Sequence, residues 1–109
     1  MVLGLVHVND VDTDFQILVE ETNVSGVNVV FDLSTASVLQ MVFTDPSGTE
    51  TTVTATALNG TGTDGILRYT NSTPSPIINQ SGLWQYRAKL SMASGGLFQS
   101  NSATFEVLG

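Results

Sequence analysis

The sequence predicts an all-β, immunoglobulin-like antiparallel β-sandwich of about seven strands. Apolar residues recur at every second position in several short segments, which is the period of a strand with one buried face. Turn-forming Gly, Pro and Asn separate these segments by about 8–12 residues, the spacing of strands in a sandwich. The chain has 109 residues and no cysteine. We therefore expect a single domain over residues 1–109, without the disulfide of antibody domains.

Each predicted strand is an alternating or apolar segment that ends at a turn signal. The segment 27–33 is apolar at consecutive positions, so we expect it to be buried on both faces. The Asp45-Pro46-Ser47-Gly48 segment predicts a hairpin turn, because Pro fixes φ and Gly accepts positive φ. Residues 59–65 contain three glycines and predict a flexible loop, and the prolines in 72–78 predict a crossing between sheets. The first predicted strand ends at Val8. The next six cover 15–19, 27–33, 39–44, 49–58, 66–70 and 84–90, and the last ends at Leu108.

The last hairpin allows a prediction of register. A two-residue Gly95-Gly96 turn pairs Tyr86 with Phe105 and Trp84 with Val107, which places four large apolar side chains on one face. We therefore expect this turn rather than a three-residue loop.

Phe98 then falls on the opposite face, which indicates a twist or bulge at residues 101–103. The core prediction follows from the alternation. It places Trp84, Tyr86, Phe105 and Val107 in one layer and Leu39, Met41, Phe43, Val53, Leu67 and Tyr69 in the opposite layer.

Charge and hydropathy exclude several classes of partner. Ten acidic and three basic residues give a net charge of −7, which opposes binding to a phosphate backbone. The apolar runs are far shorter than the ~20 residues of a membrane-spanning helix, and the first residues lack the features of a signal peptide. We expect a complete, soluble chain with neither nucleic acid nor membrane as partner.

One acidic segment has the spacing of a calcium loop. Asp10, Asp12, Asp14 and Glu21 match EF-hand positions 1, 3, 5 and 12. Phe15 stands where that loop needs Gly, and an extended strand carries Glu21 roughly 20 Å from Asp14. The EF-hand is therefore excluded. A looser Ca²⁺ site formed by the three aspartates is a candidate beside a solvated acidic turn, and we expect no high-affinity metal and no cofactor.

The usual catalytic groups are scarce. There is one histidine and no cysteine, and we interpret His7 as a strand residue rather than a catalytic base. Trp84 and Tyr86 form either a sugar-stacking platform or part of the core, and the predicted register favours the core. We expect a protein that is not an enzyme.

Several turn and strand motifs together resemble a known family. The match covers nearly the whole chain, and Asp12 departs from it, since a Gly is common there in the family. The motifs are His7-Val8-Asn9-Asp10, an alternating strand from Phe15, Phe31-Asp32-Leu33-Ser34, Val42-Phe43-Thr44-Asp45-Pro46-Ser47-Gly48-Thr49, Asp64-Gly65-Ile66-Leu67-Arg68-Tyr69-Thr70, Ser81-Gly82-Leu83-Trp84-Gln85, and Phe98-Gln99-Ser100 through Phe105-Glu106-Val107. With these motifs the chain resembles the immunoglobulin-like domain of tailed-bacteriophage virion proteins, including the N-terminal domain of upper baseplate proteins and small stand-alone phage structural proteins.

The resemblance implies a non-enzymatic structural protein of the virion, either a tail or baseplate component or a capsid decoration (cement) protein. Its expected partners are other virion proteins and further copies of itself. A carbohydrate-binding or adhesion module is the alternative. The expected interaction residues are apolar side chains on an outer face and a threonine face on a segment without Lys or Pro. They are Val38, Val42, Thr52, Thr54 and Thr56, with Val29 and Ile78 as secondary candidates.

Overall fold

The computed structural model describes residues 6–8, 14–22, 25–60, 62–70, 78–92, 95–100 and 102–109, and it confirms the predicted all-β sandwich. In these residues the single helix is a 3₁₀ helix at Leu33–Thr35, and no helix is long and apolar enough to cross a membrane. The strands are β1 (Val6–His7), β2 (Asp14–Leu18), β3 (Glu20–Thr22), β4 (Asn28–Val30), β5 (Ala36–Thr44), β6 (Glu50–Thr54), β7 (Thr56–Ala57), β8 (Ile66–Thr70), β9 (Gly82–Met92), β10 (Leu97–Gln99) and β11 (Ala103–Leu108).

The strands form two main sheets and a small hairpin. The large sheet has the order β1-β11-β9-β5-β6, with β10 also paired to β9, and the small sheet has the order β2-β8-β7. β3 and β4 form a separate hairpin. Only the β1–β11 pairing is parallel among the described strands. The division of β2, β7 and β8 from β5, β6, β9 and β11 is the arrangement of an immunoglobulin-like sandwich.

The core lies between the two sheets and is rich in aromatic rings. Phe15 of β2 is fully buried, and its ring centroid lies 4.9 Å from that of Phe43, 5.0 Å from that of Phe105 and 5.8 Å from that of Tyr86. All three of these rings belong to the large sheet. The Tyr86 hydroxyl also donates a 2.8 Å hydrogen bond to the Gln16 carbonyl, which joins β9 to β2 across the core.

The predicted core residues lie inside, but their assignment to layers was wrong. Leu39, Met41 and Phe43 of β5 and Val53 of β6 belong to the same sheet as Trp84. The opposite layer consists of Leu67 and Tyr69 of β8 with Phe15 and Ile17 of β2. The reason is that alternation shows which face of a strand is buried and carries no information about its neighbouring strands.

The predicted register of the last hairpin was also wrong. Met92 N–H donates to Gly96 O at 2.8 Å and Gly95 N–H donates to Met92 O at 2.9 Å, so the connection has three residues, 93–95. Gly95 has φ of +93°, as the last residue of such a loop requires. This turn moves the pairing of β10 by three residues, and a change of register between β10 and β11 moves it back by one, so Phe105 lies opposite Trp84. The net shift of two in β11 leaves its side chains on their predicted faces.

The bulge expected near residues 101–103 is present as a change of register between β10 and β11. Beside it, Ser100 N–H donates to Ala88 O at 3.1 Å, and Ala88 N–H donates to the Ser100 hydroxyl at 2.9 Å. The change places Phe98 on the inner face opposite Leu90, contrary to the prediction. There it stacks on Phe31 with ring centroids 4.9 Å apart.

The predicted strand over 49–58 is two strands in different sheets. β6 pairs with β5, whereas β7 pairs with β8. The change of sheet occurs at Ala55, which is buried and whose N–H still donates to Leu39 O at 3.0 Å. Both halves keep the alternation of apolar and Thr residues, so the sequence pattern contains no sign of the crossing.

The segment 27–33 is not a strand buried on both faces. Within it only Asn28–Val30 forms a strand, and Val30 is 47% exposed. The glycine loop that follows β7 is packed against this region, because Val19 N–H donates to Gly65 O and Leu33 N–H donates to Gly62 O. These glycines are buried, so this part of the predicted flexible loop is an anchor for the β3–β4 hairpin.

The Asp45–Gly48 turn is present as predicted. Gly48 has φ of +89°, and an Asp45 carboxylate oxygen accepts hydrogen bonds from the N–H groups of Ser47 and Thr49 at 2.9 and 2.8 Å. Gln80 donates to the other Asp45 oxygen at 3.1 Å. The turn therefore fixes the start of β6.

Candidate protein–protein interface

The candidate interface is built on β6, which is the last strand of the large sheet. β6 pairs with β5 on one side, and none of the described strands pairs with its other side. An open sheet edge presents backbone donors and acceptors to any strand that approaches. The side chains of Thr52 and Thr54 on this strand are exposed.

Hydrogen bonds at the two ends of β6 show which of its backbone groups are open. Asp45 N–H donates to Thr49 O at 3.0 Å, and Ala55 N–H donates to Leu39 O at 3.0 Å. In an antiparallel pair, hydrogen-bonded residues alternate with residues whose N–H and C=O point away. The odd-numbered residues 49–55 therefore bond β5. Glu50, Thr52 and Thr54 direct their N–H and C=O groups away from β5, toward the open edge.

This edge lacks the usual protection against strand pairing. β6 contains no Pro, no Lys and no register irregularity, and these are the common devices that block an edge. Its single charged residue is Glu50, whose carboxylate lies 3.1 Å from the Arg87 guanidinium. Arg87 is held in turn by Gln99 at 2.7 Å. The strand therefore presents neutral side chains and one neutralised carboxylate.

The structure separates the three predicted threonines. Thr52 and Thr54 share the open edge, whereas Thr56 lies in β7 of the small sheet, opposite Arg68. Leu58 N–H donates to Ile66 O at 2.9 Å, so by the same alternation the backbone of Thr56 faces β8. Thr56 is exposed, but it is not part of the β6 edge.

The two predicted apolar contact residues differ in exposure. Val38 is 42% exposed, but Val42 is only 2% exposed, so its prediction as a surface residue was wrong. Val42 lies between Arg87 of β9 and Thr52 of β6. The Arg87–Glu50 ion pair must cross β5 at this point, and its long side chains cover the valine.

The secondary candidates are also not exposed contact residues. Ile78 is fully buried in the core, and Val29 is half-buried.

An apolar row on the outer face of the small sheet was not predicted. Leu18 of β2 lies opposite Ile66 of β8, and Leu58 is on the other side of Ile66. Leu18 is 49% exposed and Leu58 is 39% exposed. Sequence alternation places Leu18 outward and was the available sequence signal for this row. The alignment of Leu18, Ile66 and Leu58 depends on the β7–β8 pairing, which the alternation does not show.

Of the three aspartates in the acidic segment, only Asp14 lies within the described residues. Asp10 and Asp12 lie outside them, and so does the side chain of His7. The Asp14 carboxylate accepts hydrogen bonds from Arg68 Nε at 3.0 Å and from Gln16 Nε2 at 3.0 Å. A protein cation thus neutralises this carboxylate. The described part of the chain contains no group of three or more His, Cys, Asp or Glu side chains that could hold a metal ion.

The aromatic side chains are used for packing. The one Trp, two Tyr and five Phe of the chain all contact another aromatic ring, and none of them is exposed. Trp84 and Tyr86 are buried, as the core interpretation predicted, and Trp84 Nε1 donates to Gln80 O at 3.0 Å. Burial raises the pKa of Tyr86 to about 12. A sugar-stacking platform at Trp84 and Tyr86 is therefore excluded.

Comparison of the chain with known proteins finds no matching family model, no matching curated protein and no matching solved structure. The function is therefore inferred from the residues themselves.

Proposed function

We propose that this chain is a non-enzymatic structural protein of a tailed-bacteriophage particle, and that it acts through protein–protein contacts at the β6 edge. The observation that carries this proposal is that edge, where Glu50, Thr52 and Thr54 present open backbone groups and no Pro or Lys blocks a partner strand. A strand edge of this kind binds another protein by adding one strand to the sheet. Both a tail or baseplate position and a capsid decoration role are compatible with this contact.

The phage assignment is supported by the motifs that resemble the virion domain. In the fold these motifs are structural. The Asp45–Gly48 turn fixes the start of β6, and Gly82 packs against Pro46 of that turn. The 64–70 motif forms the Gly65 contact and β8. The resemblance therefore concerns the same turns that position the proposed interface.

The alternative, a carbohydrate-binding or adhesion module, receives less support. Sugar binding commonly uses an exposed aromatic face, and every aromatic ring here is packed against another. The outer face of the large sheet carries instead mainly Gln and Thr side chains and the Arg87–Glu50 ion pair, with Lys89, Glu106 and the exposed Leu83 beside them. Such a face suits hydrogen bonding to protein backbone and side chains.

Co-sedimentation with purified particles of the phage that encodes the chain tests this proposal. We expect the wild-type chain to sediment with the particles and the Thr52→Lys variant to lose at least tenfold in binding, because a charge on the edge blocks strand addition. Gln85→Lys is the matched control, since Gln85 is exposed on the same outer face but lies on the central strand β9. It should bind as the wild type does.

Two results would contradict the proposal. One is a wild-type chain that never sediments with particles and is absent from them by mass spectrometry. The other is saturable binding to a glycan array that both lysine variants retain, which would favour the adhesion module.

A further inference from the structure

We infer that the partner strand at the β6 edge is β6 of a second copy of this chain, paired antiparallel about a two-fold axis at Thr52. This inference rests on the proposed function in that both use the same edge. Three features of β6 carry it: the positions of its open backbone groups, the distribution of its charges and the side chains that the pairing brings together.

The open backbone groups favour one register. Glu50, Thr52 and Thr54 point outward, so hydrogen-bonded pairs across the axis must join members of this set. With Thr52 opposite Thr52 of the second copy, Glu50 lies opposite Thr54 at both ends. All three residues of each copy are then used, and about six backbone hydrogen bonds form. A shift by two residues in either direction leaves one residue of each copy unpaired.

The same register keeps the carboxylates apart. Each Glu50 faces a threonine, and the two Glu50 residues are separated by about 14 Å along the strands. That distance exceeds the screening length of about 10 Å at 0.1 M salt. Each Glu50 is also paired with Arg87 of its own chain. The contact is therefore free of like-charge repulsion, although each copy has a net charge of −7.

The other edges of described strands are less suited to a second copy. β1 and β7 are each two residues long, which is too short for a stable ladder. β2 is as long as β6, but it begins at Asp14 and continues past Leu18 to Glu20 and Glu21. Two such edges would bring the Glu20 and Glu21 carboxylates of one copy toward those of the other. β3, β4 and β10 have only three residues each. Among the described strands, β6 is therefore the longest edge without such a group of carboxylates.

The side chains of the pairing are compatible on both faces of the sheet. Thr52 of the two copies would meet on the outer face, and Thr51 would lie opposite Val53 on the inner face. Val53 is half-buried, so the second copy would cover its exposed part. Cross-strand Thr–Thr and Thr–Val pairs of this kind stabilise a sheet. Two copies would form one continuous sheet from β1 of one to β1 of the other.

Sedimentation velocity of the purified chain tests the dimer. We expect a concentration-dependent dimer at loading concentrations up to about 500 µM, because a contact of one strand on each side is small. Thr52→Pro should be a monomer that keeps the wild-type circular dichroism spectrum, since the N–H that it removes points away from β5.

Single-cysteine cross-linking tests the register, and the chain suits it because it has no cysteine. Thr52→Cys should form a disulfide-linked dimer under mild oxidation, since only this position faces its own copy across the axis. Thr54→Cys and Gln85→Cys are the controls and should remain monomeric. A wild-type chain that stays monomeric at the highest concentration overturns the inference, and so does equal cross-linking of all three variants.

The two proposals fail separately. A monomeric chain that sediments with phage particles contradicts the dimer and leaves the proposed function standing. A dimer that forms in solution but never binds particles contradicts the proposed function.

Discussion

The Tyr86 hydroxyl makes a polar contact that joins β9 to β2 through the core. It donates a 2.8 Å hydrogen bond to Gln16 O from a side chain that is 1% exposed. A buried acceptor that loses its donor also loses the compensation for its desolvation. This residue therefore contributes to the packing of the two sheets both as an aromatic ring and as a hydrogen-bond donor.

Tyr86→Phe should lower the free energy of unfolding by about 1–2 kcal/mol, because it removes that bond and keeps the ring. Tyr69→Phe is the matched control, since Tyr69 is half-buried in the facing sheet and its hydroxyl makes no hydrogen bond to a described residue. It should change stability by less than about 0.5 kcal/mol. Urea unfolding at neutral pH measures both, and equal losses would contradict the role of the hydroxyl.

The same tyrosine predicts a loss of stability in alkali. Its folded pKa is about 12, above the unfolded value of about 10. A raised folded pKa means that the stabilisation is complete below pH ~10 and is lost as the pH rises through about 12, because the unfolded chain releases its proton first. Burial also raises the pKa of Tyr69. Unfolding curves between pH 8 and 11 should show this decline, and the decline should be smaller in Tyr86→Phe.

Asp14 provides a prediction about calcium. Its carboxylate is bonded to the Arg68 guanidinium, so a metal ion would have to displace a protein cation. We expect isothermal titration with CaCl₂ to show no saturable site with a Kd below about 10 µM, the range of sensor-type calcium loops. Binding in that range that Asp12→Ala abolishes would contradict this expectation.

Among the elements, the glycine loop after β7 shows how local packing supports a surface hairpin. Gly65 has φ of +71°, and a Cβ at this position would lie 3.0 Å from Phe31 O and 3.1 Å from Val19 O, and closer still to a Val30 methyl. The loop backbone therefore fits directly against β4 and the end of β2. Only glycine provides both the backbone conformation and the space.

Gly65→Ala should therefore destabilise the protein more than the change in backbone preference alone explains. Gly26→Ala is the control, because Gly26 has φ of +81° and a Cβ added there would meet no atom within 4 Å. It should cost about 1 kcal/mol, the penalty for a left-handed alanine. We expect Gly65→Ala to cost about 3 kcal/mol, since crowding adds to this penalty. Thermal unfolding of the two variants decides the comparison, and equal shifts would show that the loop is not packed tightly.

Along β6, backbone groups that bond β5 alternate with groups that point to the open edge, and this alternation gives a further pair of variants. Thr52→Pro should cost little stability, because the N–H of Thr52 points away from β5. Thr51→Pro removes an N–H that bonds β5 and leaves its carbonyl acceptor unpaired, so it should cost about 1–3 kcal/mol. Chemical unfolding of both variants tests the alternation that we derived from the Thr49 and Ala55 hydrogen bonds. If Thr52→Pro cost more stability than Thr51→Pro, the even-numbered residues of β6 would be the ones that bond β5, and the assignment of the open backbone groups would be wrong.

At the scale of elements, sequence alternation predicted the inward faces well and the partners of the strands poorly. The faces of Trp84, Tyr86 and Phe105 followed from period 2, and they survived an error of two residues in register. The change of sheet at Ala55 could not be predicted, because the alternation continues through it. The candidate interface shows the same limit at Val42. Its burial depends on an ion pair between β9 and β6, and sequence alternation does not show which strands lie beside β5.

At the scale of the whole molecule, charge is distributed unevenly. The chain has a net charge of −7, but the outer face of β5, β6 and β9 carries Arg87 and Lys89 against Glu50 alone. This face is therefore the least negative part of the described surface. A second acidic copy that approaches the molecule meets the weakest repulsion there.

Salt should consequently strengthen the association of two copies. Raising NaCl from about 20 mM to about 500 mM shortens the screening length from about 20 Å to about 4 Å, which weakens the repulsion between two chains of the same net charge. The β6 contact itself consists of backbone hydrogen bonds and threonine pairs, so screening removes little attraction from it. We expect the dimerisation constant measured by sedimentation to rise several-fold over this range, while Thr52→Pro stays monomeric throughout. An association that weakens with salt would mean that Arg87 and Glu50 exchange partners between copies, and the neutral contact at β6 would then be wrong.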